Sequence, residues 1–328
     1  AHGYGFDSVL FASGNAAINS NADTAGNWFS ATDNLNKRFA DLGARGFNAL
    51  LVKDSDPLND VWLQGYAERR NTGFEGGLAD FRSTVYGADV GLDRVLGKSD
   101  TTAFLLGAFI GYQHTERHFD AFRGTTGGKG KSDGVGGGLY AQWSHKNGAY
   151  INGTVRAQSF STEFSAEGDK GEFDTLGLGA GIAAGWRLGL GDDNSWFVTP
   201  EVRLDYARLD GSRYTTKAGA HIANHDADWL RYAANVRAGK TFATGADVNA
   251  GSLTPSVNVG VEGRTGEAAA TLDGAAFDPS VNSWQVNFGA GVTWRLNTTT
   301  SLRLDYTGSI GDKTTSPWGF NLGFTKKF

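Results

Sequence analysis

The residue type that most often serves acid–base chemistry or metal binding is histidine, and the chain has six, at 2, 114, 118, 145, 221 and 225. His114 and His118 lie near a strand end and His221 and His225 in a polar loop, so they read as surface polar residues rather than ligands. The sequence contains no Gly-x-Ser-x-Gly elbow, no Walker loop and no His-Glu-x-x-His. The glycine run 134–138 is followed by no Lys-Ser/Thr pair, and an alternating pattern continues through it. No metal and no cofactor is expected. The chemistry that remains is ion pairing. Glu201, Arg203, Asp205, Arg231, Arg237, Glu262, Arg264, Arg295, Arg303 and Asp305 recur within alternating segments, always on one face. Opposite charges on neighbouring strands would stiffen a wall and hydrate the space that it encloses.

The elements that must position these charges are strands. Twelve segments have strand character, at roughly 60–73, 81–96, 101–117, 131–146, 149–163, 172–190, 195–210, 228–243, 251–265, 281–296, 299–312 and 316–328. In 196–206, Trp196, Val198, Val202, Leu204 and Tyr206 oppose Thr199, Glu201, Arg203 and Asp205. One face is nearly free of charge and the other carries several charges per strand. A soluble sandwich would turn its charges outward to water; strands this long and continuous fit lipid outside and water inside. Connections after even-numbered strands are mostly tight (97–100, 147–148, 191–194, 297–298), and those after odd ones mostly long and polar (118–130, 211–227, 266–280). Alternating turns and loops mark an outer-membrane barrel.

The last strand gives the same reading. Trp318, Phe320, Leu322, Phe324 and Phe328 share one face, against Gly319, Asn321, Gly323 and Thr325. A strand whose apolar face meets lipid needs no further cover. The terminal Phe with Phe320, Leu322 and Phe324 resembles the carboxy-terminal signal of bacterial outer-membrane barrels, read there by the barrel-assembly machinery, with Lys326 departing from the aromatic usual in that signal. No run of about 18 apolar residues exists for a transmembrane helix. The absence of Cys fits an extracytoplasmic protein, the net charge of −5 gives no basic footprint for nucleic acid, and the absence of Met points to a processed form or a piece of a longer chain.

Upstream of the strands, residues 1–26 read as loosely structured. In 27–43, Leu35, Phe39 and Leu42 recur at helical spacing opposite Asn34, Lys37, Arg38 and Asp41, and Gly43 is a natural stop. Residues 44–59, with Pro57, read as a connection into the barrel. Twelve tilted strands close into a cylinder about 24 Å across, and subtracting side chains leaves roughly 10–12 Å, one helix diameter. The helix therefore fits inside as a plug, with room from inward Gly136, Gly138, Gly177, Gly179, Gly181, Gly289 and Gly291.

Asn34-Leu35-Asn36-Lys37-Arg38 with Asp41-Leu42 resembles the linker helix of type V autotransporters. So do Trp62-Leu63-Gln64-Gly65-Tyr66, Gly91-Leu92-Asp93-Arg94, the run 135–141, Gly148-Ala149-Tyr150-Ile151 and Pro317-Trp318. The motifs are nearest to the secreted serine-protease and pertactin-like barrels and cover about 30–328. The resemblance implies an all-β fold, a twelve-stranded antiparallel transmembrane barrel with an N-terminal α-helix in its lumen. It also implies a translocator in the bacterial outer membrane that passes an N-terminal passenger in cis to the cell surface. Residues 1–26 would then end the passenger, 27–59 form the linker and 60–328 the barrel. Expected partners are outer-membrane lipid and lipopolysaccharide, the assembly machinery and periplasmic chaperones, with a monomeric state.

In the serine-protease group, a linker Asn cyclises and releases the passenger, helped by luminal acids. The resemblance maps that junction onto Asp33–Asn34, so the cyclising residue is Asp33 here, and the acids onto Asn152, Ala183 and Arg203. The cleavage apparatus is therefore expected to be altered, and a plain helix N-terminus is the other reading of Asp33. Asn15-Ala16 and Asn21-Ala22 are rival processing points. Asn36, Lys37, Arg38 and Asp41 are expected to contact the wall. Two other functions stay open: a stand-alone outer-membrane pore or adhesin plugged by its helix, and a barrel enzyme with a His–Asp or His–Ser pair at its rim.

Overall fold

A computed structural model describes residues 8–50, 59–73, 78–121, 124–191, 195–245, 251–279 and 281–328. Twelve long strands form the wall: β1 (Asn59–Thr72), β2 (Phe81–Lys98), β3 (Thr102–Phe119), β4 (Gly128–His145), β5 (Ala149–Ala166) and β6 (Asp169–Trp186) make one half. The other half is β7 (Trp196–Leu209), β8 (Ala227–Lys240), β9 (Ser252–Gly266), β10 (Ser283–Arg295), β11 (Thr300–Gly311) and β12 (Thr314–Lys327). Each pairs antiparallel with its neighbours, and β12 closes on β1 from Asp60 opposite Lys327 to Thr72 opposite Thr314. Closure leaves the wall without an unpaired edge.

The barrel is apolar outside. Ile110 is 66 % exposed and Val135 65 %, whereas Arg117 and Arg231 are buried. Trp143, Trp186, Trp196 and Trp294 are exposed toward one end, and Tyr86, Tyr206, Tyr232 and Trp284 toward the other. Such paired belts mark the two interfaces of a lipid band. At the lower belt the Lys240 ammonium lies 5.0 Å from the Trp196 ring centre, a cation snorkelling out of the apolar band. On β12, Phe320, Leu322 and Phe324 are exposed outward, as the alternation predicts, and Phe328 just past its end is exposed too.

The turn 147–148 is tight. Gly148 takes φ 96°, and a Cβ there would stand 2.0 Å from the Arg187 carbonyl oxygen. The β5–β6 connection is also tight, through Glu167 and Gly168 at positive φ. The long connections hold more order than loops: Ser212–Thr215, His221–Asn224, Ala270–Leu272 and Ala275–Phe277 form a second, four-stranded sheet over the upper mouth.

The helix α1 (Ser8–Leu50) corrects two expectations. Residues 8–26 are helical rather than loose, and neither Gly26 nor Gly43 ends the helix. At 1.5 Å per residue its 43 residues span about 65 Å. Ala is the best helix former but Ser, Asn and Gly are poor ones, and burial of the helix in the lumen lets packing override them. Ala12, Ala16 and Ala17 are buried against Phe81, Phe119, Phe164 and Ile222, and Ile18 against Leu78 and Ala270. Part of the expected 44–59 connection, 51–58 with Pro57, lies outside the described residues.

Candidate functional site: the helix-filled lumen

The helix leans on the β1–β6 half of the wall. Trp28 fills the space over two glycines: a Cβ on Gly177 would stand 2.8 Å from its ring, and one on Gly179 2.6 Å. Lower down, Leu35, Phe39 and Leu42 pack on Trp62, Leu105, Phe109 and Tyr140, with Phe39 edge-on to Tyr140 at 5.6 Å. Of the inward glycines, Gly177 and Gly179 thus make room for the helix, whereas a Cβ on Gly136, Gly138, Gly181, Gly289 or Gly291 would meet atoms of the wall itself.

Polar contacts form tiers along this face. At the top, Ser13 donates to Asp169 at 2.6 Å, and Asn19 donates to the Ala79 carbonyl at 2.9 Å. In the next tier Asp23 accepts from Arg70 at 2.9 Å, Arg117 at 2.5 Å and Ser83 at 2.9 Å. Arg70 also donates to Asn27 and Ser30, each at 2.6 Å. At mid-height Asn34 donates to Asp89 and accepts from Asn321.

The lowest tier is the tightest. Arg38 is fully buried and donates to Asp93 at 2.9 and 3.0 Å, Asp41 at 2.8 Å, Asp60 at 2.7 Å and Thr325 at 3.1 Å. Tyr140 donates to Asp93 at 2.5 Å and accepts from the Trp62 indole at 2.7 Å. One guanidinium therefore joins the helix to β1, β2 and β12, the strands flanking the closure. A buried cation so fully paired costs little where it sits and much to remove.

The other face of the helix looks onto a cavity of about 210 Å³ against the β7–β11 half. Asp33, Asn36 and Lys37 line it with Glu201, Arg203, Arg231, Arg237, Glu262 and Arg303. Here Asp33 pairs with Arg231 at 2.8 Å, and Arg231 with Asp205 at 2.7 Å. Glu262 accepts from Arg264 at 2.6 Å. Glu201 pairs with Arg203 at 2.7 Å and Asp305 with Arg303 at 2.6 Å, each pair along one strand. Arg295 holds a register position between Ser252 and Ser301 at the lower end. Lys37 and Arg237 have no carboxylate at ion-pair distance among the described residues, and Asn36 reaches Asp33 only at 3.5 Å.

Asn152, Ala183 and Arg203, the positions the resemblance assigns to acids, fall in register on β5, β6 and β7. They share one inward rung, and none of the three is a carboxylate. The Asp33–Asn34 bond lies within the helix, as do Asn15-Ala16 and Asn21-Ala22. On the outer face, His114 stacks on Tyr86 at 6.0 Å and meets Asp133 at 2.8 Å.

Sequence reasoning missed Asp23, Arg70 and Arg117 in the second tier and Asp60, Asp89 and Asp93 below it. The five on strands occupy inward positions, and that parity was the available signal, whereas Asp23 falls in the stretch read as loose, with no periodicity to place it. Asp60, Asp89 and Asp93 sit among residues whose glycines and aromatics masked it.

Known proteins resemble this chain along nearly all of its length. The autotransporter beta-domain family profile matches residues 61–307. The pertactin autotransporter of Bordetella bronchiseptica is 26 % identical over 327 residues, 96 % of this chain and 33 % of that relative. The chain thus spans about a third of the relative's length. The crystal structure of the beta domain of the Bordetella autotransporter BrkA superposes with a TM-score of 0.68 at 21 % identity, covering 83 % of this chain and 100 % of that one. The transport unit of AIDA-I from Escherichia coli gives a TM-score of 0.69 at 13 % identity, over 85 % of this chain and 92 % of the other. A closed twelve-stranded barrel, apolar outside, with a helix through its lumen and this family profile over most of its length, identifies the chain as a member of the autotransporter β-domain family, an outer-membrane translocator.

Proposed function

We propose that the barrel passes an N-terminal passenger in cis to the cell surface and then holds it by the same helix, without cutting itself. The observation that carries this reading is the Arg38 cluster, which ties the helix to both sides of the strand closure. A helix held there fills the pore that the passenger has used. Retention rather than release is supported by Asp33 in place of an amide, by its engagement with Arg231, and by the lack of a carboxylate at Asn152, Ala183 and Arg203. An ionised carboxylate would have to lose an oxygen to cyclise.

The chain's role is therefore transport and anchoring, with no catalytic step. The outward aromatic belts are suited to outer-membrane lipid and lipopolysaccharide. The β12 face of Phe320, Leu322, Phe324 and Phe328 is suited to the assembly machinery and to periplasmic chaperones before insertion. The closed wall suits a monomer.

Planar-bilayer conductance tests the reading. The full chain should conduct weakly, and a chain starting near residue 56 several-fold more. An open full-length pore would place the helix outside the lumen and favour a stand-alone porin. In cells, the intact mass of a passenger fusion should persist; a cut at 33–34 would overturn retention.

A further inference from the structure

Three cations at the lower part of the cavity lack the partners that their neighbours have. Arg70, Arg203, Arg231, Arg264 and Arg303 each meet a carboxylate within 3.0 Å. Lys37, Arg187 and Arg237 line the same cavity, and among the described residues none has a carboxylate at ion-pair distance. Arg187 lies over the Phe197 ring at 3.6 Å, which covers one face of its guanidinium and leaves the N–H edge free to donate. The charges act in pairs: Arg187 and Arg237 repel each other and Arg237 repels Lys37, while Asp305 and Asp33 attract Lys37 only from beyond ion-pair distance. The nearby carboxylates of Glu201 and Asp305 are already taken by Arg203 and Arg303.

Like charges crowded within a wall that faces lipid are costly unless a counter-charge joins them. We propose that the space between Lys37, Arg187 and Arg237 is a site for a small inorganic oxyanion, with phosphate as its type. Guanidinium forks match the edges of a tetrahedral oxyanion and the ammonium adds a point charge. A cavity of about 210 Å³ admits such an ion with several waters, each taking roughly 30 Å³. The helix supplies Lys37 and the wall supplies both arginines, so a bound anion bridges plug and barrel on the side opposite Arg38. The plug would then be fastened on one face by a fixed cation and on the other by an exchangeable anion.

The test uses the full chain, folded in uncharged detergent, titrated calorimetrically with inorganic phosphate at constant ionic strength. Saturable one-to-one binding is expected, weakened at least tenfold by Arg237→Gln and by Arg187→Gln and unchanged by Lys131→Gln on the outer face. The heat-dependent gel mobility of each variant reports that it has folded. Wild-type crystals soaked in arsenate give a second readout that needs no variant: anomalous density between Lys37, Arg187 and Arg237. No saturable heat, binding undiminished in both arginine variants, or arsenate elsewhere only would each overturn the site.

Discussion

Arg38 and Arg231 each gather three carboxylates in the lumen, and those of Arg38 all lie within 2.8 Å. The Arg38 guanidinium meets Asp41, Asp60 and Asp93 with no exposed surface. Arg38→Met should leave three buried carboxylates without their cation and cost about 3–5 kcal/mol. Arg38→Lys should fall between, because an ammonium cannot fork to Asp93 while reaching the other two. Urea unfolding followed by gel mobility measures both, and Asp93→Asn in the Met background should recover part of the loss. An unchanged midpoint in Arg38→Met would show that the cluster does not hold the helix. Gly177 offers a steric counterpart. A Cβ there meets Trp28 at 2.8 Å and Leu209 at 3.0 Å, so Gly177→Val should overpack the lumen by about 1–3 kcal/mol. Trp28→Ala in the same chain should relieve much of it. Independent, additive losses would mean that Trp28 does not occupy that space.

The strands and the helix were unequally legible, for a physical reason. A strand between lipid and water is forced into period two, so Trp196 to Tyr206 on β7 and Trp318 to Phe328 on β12 announce themselves. The helix meets wall on most sides of a narrow bore. Its upper half needs small residues, hence Ala12, Ala16 and Ala17 with Ser13, Gly14, Ser20 and Gly26, and its Gly, Ser and Asn make the composition resemble a loop. The tiers of the site were half legible. Arg38 and Asp41 stood out on a helical face, but their partners Asp60 and Asp93 come from strands whose pairing only the closed barrel supplies. The upper four-stranded sheet escaped notice because its strands are three or four residues long. It covers the helix through Ile222, buried against Ala12, Ala16 and Ala17. Ile222→Asp should therefore loosen only the top. Amide exchange of the helix above Gly26 should quicken at least roughly tenfold, while that around Arg38 stays slow. Uniform acceleration would make the helix one cooperative unit rather than two.

The whole molecule is a cylinder whose outer surface must satisfy lipid at mid-height, and β12 is part of that surface; under the proposed function the chain end after β12 also answers to assembly. Leu322 is 60 % exposed and pairs with Leu304 across one seam and Gly65 across the other, between the two aromatic belts. Phe328 lies just past the lower end of β12. An arginine at Leu322 should cost about 2–4 kcal/mol in the bilayer, and one at Phe328 only about 0–1 kcal/mol, because the cost falls toward the interface. Unfolding from lipid vesicles measures both. Folding yield in cells should show another order. If Phe328 belongs to a signal read before insertion, Phe328→Arg should lower the amount of barrel in the outer membrane several-fold while the barrels that do form stay as stable as wild type. If instead both variants lose yield in proportion to their stability in vesicles, the terminal aromatic acts only through lipid contact. The two measurements together thus separate what the bilayer requires of the last strand from what assembly requires.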